Sequence, residues 1–148
     1  MPNRLDIDPA RLRAALERRL GPVSEGMGET VTGFLREKLS GPGGGIQHPG
    51  LPNPSSAPGE YPAEQSGDLV NSLGNEAVDA FRQRAGALSS VAPVPLEAWA
   101  LEYPSPPGSP VDRATSHGAR PWISKALGDE ELHDRLRAVP REHGLEVT

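Results

Sequence analysis

Apolar residues recur at helical spacing through the first quarter of the chain. Leu12, Leu16, Leu20, Val23, Met27, Val31 and Phe34 follow one another at intervals of four, four, three, four, four and three. A single apolar stripe of that period predicts an amphipathic helix over residues 9–39. Asp8-Pro9 opens it well, because Asp accepts from free N–H groups as N-cap and Pro suits the first helical position. The stripe keeps its phase across Gly21-Pro22. A proline inside a helix costs roughly 3 kcal/mol and clashes with the carbonyl four residues back. The expectation is therefore a kinked helix, or two helices nearly collinear, ending near Leu39. Gly26, Gly28 and Gly33 each lower its intrinsic stability by up to about 1 kcal/mol relative to Ala. Such a helix needs packing from other elements or from other subunits.

The pattern then breaks. Residues 40–61 carry Gly-Pro-Gly-Gly-Gly and several prolines, which predicts an extended loop rather than regular structure. A loop of that length is either disordered or functional. Ser55 to Ser72 is turn-rich, with Pro58-Gly59 as a turn dipeptide, and then becomes apolar. Ser66 stands before Gly67, Asp68, Leu69 and Val70 as a helix N-cap would. Leu69, Val70 and Leu73 are the first apolar anchors after the loop. Glu76 to Phe81 and Ala87 to Val94, with Gly86 between them, read as two strands of a hairpin. Helix remains open for Asn75 to Ala87, since Ala, Arg and Gln favour it. Leu96 to Tyr103 reads as a short helix stopped by Pro104, followed by a second Pro/Ser/Gly loop to Gly118. Ala119-Arg120-Pro121-Trp122-Ile123 opens a C-terminal helix with Pro121 near its first position. Ile123, Ala126 and Leu127 share one face. Gly128 interrupts, and Asp129 recaps a continuation through Leu132 and Leu136 to Pro140. Residues 141–148 read as a loose tail.

These elements predict a single α+β domain over 1–148. It has a long N-terminal helix, a small antiparallel sheet, C-terminal helices, long Pro/Gly-rich loops and a core within 66–138. Composition adds that the core must be thin: hydrophobic residues are 35%, aromatics 4%, and Gly and Pro number 17 each. A thin core with long loops points to help from neighbours, as in an oligomer. The chain has no cysteine, which excludes disulfides, thiolate catalysis and cysteine-based zinc sites. No run of about 18 apolar residues exists, so no transmembrane helix and no membrane partner is expected. Met-Pro-Asn-Arg-Leu-Asp lacks an apolar signal-peptide core, so the expectation is a protein that stays in the cytosol where it is made, or joins something assembled there. A net charge of −5 argues against a general nucleic-acid binder.

Candidate chemistry is sparse. His48, His117, His133 and His143 do not pair at metal-ligand spacing on one helix face. Asp129, Glu130, Glu131 and Asp134 surround His133, but acidic residues suit a helix first turn without any acid–base role. Ser66-Gly67 lacks the Gly-x-Ser-x-Gly of a nucleophile elbow. Gly41 to Gly45 lacks the Lys-Ser/Thr of a phosphate loop. No catalytic, cofactor-binding or metal residue is assigned, and no enzyme is expected. Arg120 stands out, because its planar fork suits a carboxylate or several backbone carbonyls. Glu102 flanks the same loop and is its expected partner. Trp99 and Trp122 are expected as core or interface anchors.

Three short marks in fixed order carry a resemblance. The first is Ser66, Gly67 and Leu69 in a Ser/Thr-Gly-x-Leu stretch. The second is Trp99, Ala100 and Glu102 in Trp-Ala-Leu-Glu-Tyr, where Tyr103 keeps an aromatic and Pro104 stands in place of a Gly. The third is Ala119, Arg120, Pro121 and Trp122 opening the last helix. Together they resemble the gene-product-ten-like family of tail-completion, or head–tail connector, proteins in the necks of tailed bacteriophages. The resemblance spans about Ser55 to Leu136. It implies a structural virion protein at the head–tail junction, assembled in the host cytoplasm as a six-fold homo-oligomeric ring. The ring would join portal, adaptor or stopper proteins to tail tube proteins. DNA would pass through without sequence-specific binding, and no cofactor is implied. A tail terminator or minor tail protein of the same fold is the alternative, and a small bacterial protein-binding module is the rival from another class.

Overall fold

A 31-residue helix, α1 (Pro9–Leu39), is the spine on which everything else is laid. The computed structural model describes residues 7–57, 59–102 and 120–145. Along the chain follow α2 (Asp68–Asn71), β1 (Leu73–Asp79), β2 (Arg82–Ala87), α3 (Leu96–Glu102), α4 (Ile123–Leu127) and α5 (Glu130–Glu142). The arrangement is α+β, as the sequence leads one to expect.

Asp8 caps α1 by accepting from the Ala10 N–H at 2.9 Å. The helix runs unbroken through Pro22, so the two-helix alternative is corrected. Pro22 lies on the exposed side, where water can serve the carbonyl left without an N–H partner. Burial begins only at Val23. From there Val23, Thr32, Phe34, Leu35 and Leu39 are buried, whereas Leu12 and Leu16 are 49% and 42% exposed.

The hairpin exists, but its second strand is placed differently from the sequence expectation. β2 spans Arg82–Ala87, and Ala87 to Val94 is turn and loop. The chain reverses at Ala80-Phe81 because Asp79 accepts from the Phe81 N–H at 2.9 Å and from Arg82 Nε at 2.7 Å. An Asp side chain bonding the backbone two residues on is a turn-former. Gly86 therefore sits inside β2 rather than between strands. Leu73 pairs with Ala87 and Glu76 with Arg84, with a register shift between Ala77 and Asp79. The helical alternative for Asn75 to Ala87 is excluded by this pairing.

The hairpin lies directly on the α1 backbone at Gly28, where an added Cβ would sit 3.2 Å from the Cβ atoms of Asn75 and Gln83. Arg36 donates to the Leu73 carbonyl at 2.7 Å and pins the start of β1. α5 covers the adjoining face of α1. Lys38 pairs with Glu131 at 2.6 Å and Arg135 with Glu37 at 2.8 Å, and Arg135 also bonds Glu131. The single core gathers Phe34, Leu35, Leu39, Leu73, Ala98, Trp122, Ala126 and Leu132.

Three further expectations are corrected here. α4 begins at Ile123, so Pro121 precedes it by two residues instead of opening it. Of the apolar face assigned to α4, only Ala126 is buried, and Ile123 and Leu127 are 40% and 68% exposed. α5 passes through Pro140 to Glu142, so the tail starts later than expected. Pro140 lies in the last turn, and the Leu145 N–H returns to its carbonyl at 2.8 Å to close the end. Among the described residues, no helix is long and apolar enough to cross a membrane.

Candidate functional site

The first mark builds a sharp entry into α2. Gly67 takes φ +82°, a left-handed conformation that costs a glycine nothing. Ser66 stands one residue further out than expected. Gly67 occupies the N-cap position, and Ser66 Oγ accepts from the Asp68 N–H at 3.2 Å. The turn aims Leu69 and Val70 at the core. The fully buried Ser72 closes α2 by donating its hydroxyl to the Leu69 carbonyl at 2.8 Å.

The second and third marks meet end to end. Glu102, the last residue of α3, accepts from the N–H groups of Trp122, Ile123 and Ser124 at 2.9, 2.9 and 3.0 Å. The Ser124 hydroxyl also donates to it. The free N–H groups at the start of α4 thus share one carboxylate. Burial opposes its ionisation, but the bonds from the Ser124 hydroxyl and the three backbone N–H groups prevail and hold it below the usual range. Trp122 fills the core, and its indole N–H donates to the Ala98 carbonyl at 2.9 Å. The Arg120 N–H donates to the Leu101 carbonyl at 3.2 Å, which locks α3 to the segment before α4.

The expected Glu102–Arg120 ion pair is not formed among the described residues. Glu102 is already occupied by backbone donors, and Arg120 turns the other way. Its buried guanidinium donates from Nε to the Ser56 carbonyl at 3.1 Å. Of the two acceptor types that suit its fork, the carbonyl is the one it meets among the described residues. Pro121 is half-buried between these two anchors. Trp99 is 63% exposed and is no core anchor, which corrects one half of its expected role. Tyr103 lies outside the described residues. The marks thus bring Glu102, Arg120 and Trp122 into one joint, with Leu69 packed on the same core, Ser66 and Gly67 shaping the entry to α2, and Trp99 exposed beside Glu102 and Trp122.

Two residues that the sequence reading did not single out organise the loop. Glu60 accepts from the N–H groups of Gly44 and Ala57, both at 2.8 Å, and these bonds hold its carboxyl below the usual range. Glu64 accepts from the Gly41 N–H at 3.1 Å. The glycine run then folds against residues 54–56. Gly43 donates to the Pro54 carbonyl at 3.1 Å and Gly45 to the Ser55 carbonyl at 2.7 Å. A Cβ on Gly43 would lie 2.4 Å from the Ser56 backbone. The signal available in the sequence was a carboxylate pair set among glycines with open N–H groups. Lys125 bonds the Gly59 carbonyl and stands 4.6 Å from the Tyr61 ring centroid. Tyr61 donates to Asp129 at 3.0 Å, and burial with that bond raises its hydroxyl pKa. These bonds order the loop against its own chain.

Chemically, this joint holds elements in place. Glu102, Arg120 and Asp129 each bond structural donors or acceptors. His133 meets the Leu127 carbonyl at 2.7 Å. Among the described residues, no group of three or more His, Cys, Asp or Glu could hold a metal. Compared with protein-family models, curated proteins and solved structures, the chain matches none.

Proposed function

We propose that the protein is a structural component of a tailed-phage neck that works as a ring between head and tail. The observation that carries this reading is the convergence of the three marks. Residues far apart in the chain meet in one joint, with Glu102 bonded to the start of α4 and Arg120 bonded to the loop. Marks that were noticed for their order in the chain thus have a common structural task, as expected of a scaffold.

The outer surface supports assembly over catalysis. Leu12, Leu16, Val91, Leu96, Trp99 and Leu127 are all between 42% and 69% exposed on a chain with few aromatics. Leu12 and Leu16, one turn apart on α1, form a continuous apolar strip of the kind that can contact another protein. In such a ring the mechanism is geometric: helices form the wall and loops fix the register of neighbours. The net charge of −5, repeated around the ring, keeps passing DNA from adhering to the wall. Negative-stain electron microscopy of the purified protein tests this reading. Rings with an open centre are the expected result, and a compact monomer at every concentration would overturn it.

A further inference from the structure

The loop, α2 and the C-terminal ends of α1 and α3 enclose a mostly apolar pocket of about 330 Å³. Leu39, Leu51, Pro62, Leu69, Val70 and Leu101 give it its apolar wall, and Arg120 is its single cation among the described residues.

Arg120 is only 9% exposed, yet its charge is unanswered. A charge taken out of water is costly unless hydrogen bonds or an opposite charge replace that water. Arg120 has one such replacement, the Ser56 carbonyl on Nε at 3.1 Å. Among the described residues it forms no ion pair, and its two Nη nitrogens form no hydrogen bond. Neither nitrogen is one of the fully enclosed polar atoms that lack a partner, so both reach open space. The nearby carboxylates are already taken. Glu60, whose carboxyl feels the Arg120 charge, accepts from the Gly44 and Ala57 N–H groups. Glu64, which shares the pocket wall, accepts from Gly41, and Glu102 accepts from the start of α4.

We infer that this pocket binds an aliphatic carboxylate, with the carboxylate on the Arg120 fork and the hydrocarbon against Leu39, Leu69 and Val70. The two outer nitrogens of a guanidinium match the two oxygens of a carboxylate. A doubly charged phosphate would need more donors than one fork, and it would meet Glu64 in the same wall. The apolar wall asks for a hydrocarbon body behind the head group. A free aliphatic acid and the apolar C-terminal end of a polypeptide carry the same chemistry. Binding of either kind is independent of ring assembly, so each can fail alone.

Calorimetric titration of the purified protein with octanoate tests the site. Affinity should rise about fourfold for each methylene added between hexanoate and octanoate, as burial of each CH₂ predicts. Octanamide has the same shape without the charge and should bind at least about tenfold more weakly. In methyl NMR spectra octanoate should shift Leu69 and Val70 and leave Leu12 and Leu16 unmoved. Arg120→Gln should abolish the preference for acid over amide. Should that variant fail to fold, the wild-type comparison of acid with amide and the methyl shifts decide alone. The tripeptide Ala-Leu-Leu, with its C-terminus free or amidated, separates the two sources. Octanoate binding without tripeptide binding names a free acid, and tighter binding of the free than of the amidated tripeptide names a chain end. Equal affinity for octanoate and octanamide overturns the inference. So do methyl shifts confined to Leu12, Leu16, Met27 or Val31, and so does the absence of binding at millimolar octanoate.

Discussion

The two halves of α1 obey one sequence rule and meet opposite fates. Leu12 and Leu16 belong to the same stripe of three- and four-residue steps as Val23 and Phe34, yet they are 49% and 42% exposed while Val23 and Phe34 are 7% and 0% exposed. Periodicity tells which face of a helix is apolar. It does not tell what lies opposite that face. Here the hairpin, α5 and Trp122 cover only the second half, and they do so because Gly28 and Arg36 bring β1 onto the helix there. The largest expected effect follows at once. Phe34→Ala should lower stability by about 3–5 kcal/mol in urea denaturation, because the ring is fully buried beside Leu39 and Tyr61. A loss near 1 kcal/mol would mean that the covered half is not covered as described.

The joint between α3 and α4 holds Trp122 over the second half of α1, so loosening it should make the halves more alike. Glu102→Ala leaves three backbone N–H groups without their shared acceptor, an expected loss of about 2 kcal/mol. The pH dependence has a definite sign. The folded-state pKa of Glu102 lies below its ordinary value of 4.5, so the unfolded chain binds the proton more readily. Its contribution is complete above about pH 4.5 and fades as pH falls through the lower folded value. Glu102→Gln should flatten that acid loss without moving the neutral-pH slope. An unchanged acid profile in Glu102→Gln would remove the carboxylate from this account.

Glycines sharpen the comparison within α1 itself. A Cβ at Gly28 would press on Asn75 and Gln83, whereas a Cβ at Gly33 would meet nothing within 4 Å. Gly33→Ala should therefore stabilise by up to about 1 kcal/mol through helix propensity alone. Gly28→Ala has the same gain but must push the hairpin, and overpacking of this kind costs about 1–3 kcal/mol. Opposite shifts of the two melting temperatures are the expected result. Equal stabilisation would mean that the hairpin does not rest on the helix backbone.

Much of this was legible in the sequence, for reasons that differ by region. α1 was readable end to end, because Asp8-Pro9 is a strong start and the stripe is long. The recapping of α5 by Asp129 was readable for the same reason, and the Asp129 carboxylate does accept from the Glu131 N–H at 3.1 Å. The hairpin was readable in kind but not in register. Its turn residues, Ala80-Phe81, carry no Gly or Pro, and Asp79 acts through a side-chain bond that spacing does not reveal. The Glu102–Arg120 pairing failed because opposite charges near one loop do not show which backbone groups compete for them. Here three N–H groups and the Ser56 carbonyl won. The loop's order was hidden because it depends on Glu60 and Glu64 reaching glycine N–H groups far back in the chain. Trp99 looked like its partner Trp122, and only the fold separates the outward indole from the inward one.

The smallest effect is the most discriminating. Leu16→Ala removes an exposed side chain from a helix in which Ala is the better former, so isolated molecules should change by no more than about 0.5 kcal/mol. That comparison belongs at low protein concentration, where copies do not meet. As concentration rises, the wild-type urea midpoint should climb, because association stabilises only the folded state. The Leu16→Ala midpoint should stay flat over the same range. A loss of about 2 kcal/mol at low concentration would show instead that the first half of α1 is covered by its own chain. The contrast between the two halves would then vanish, since both leucine clusters would owe their stability to contacts within a single molecule.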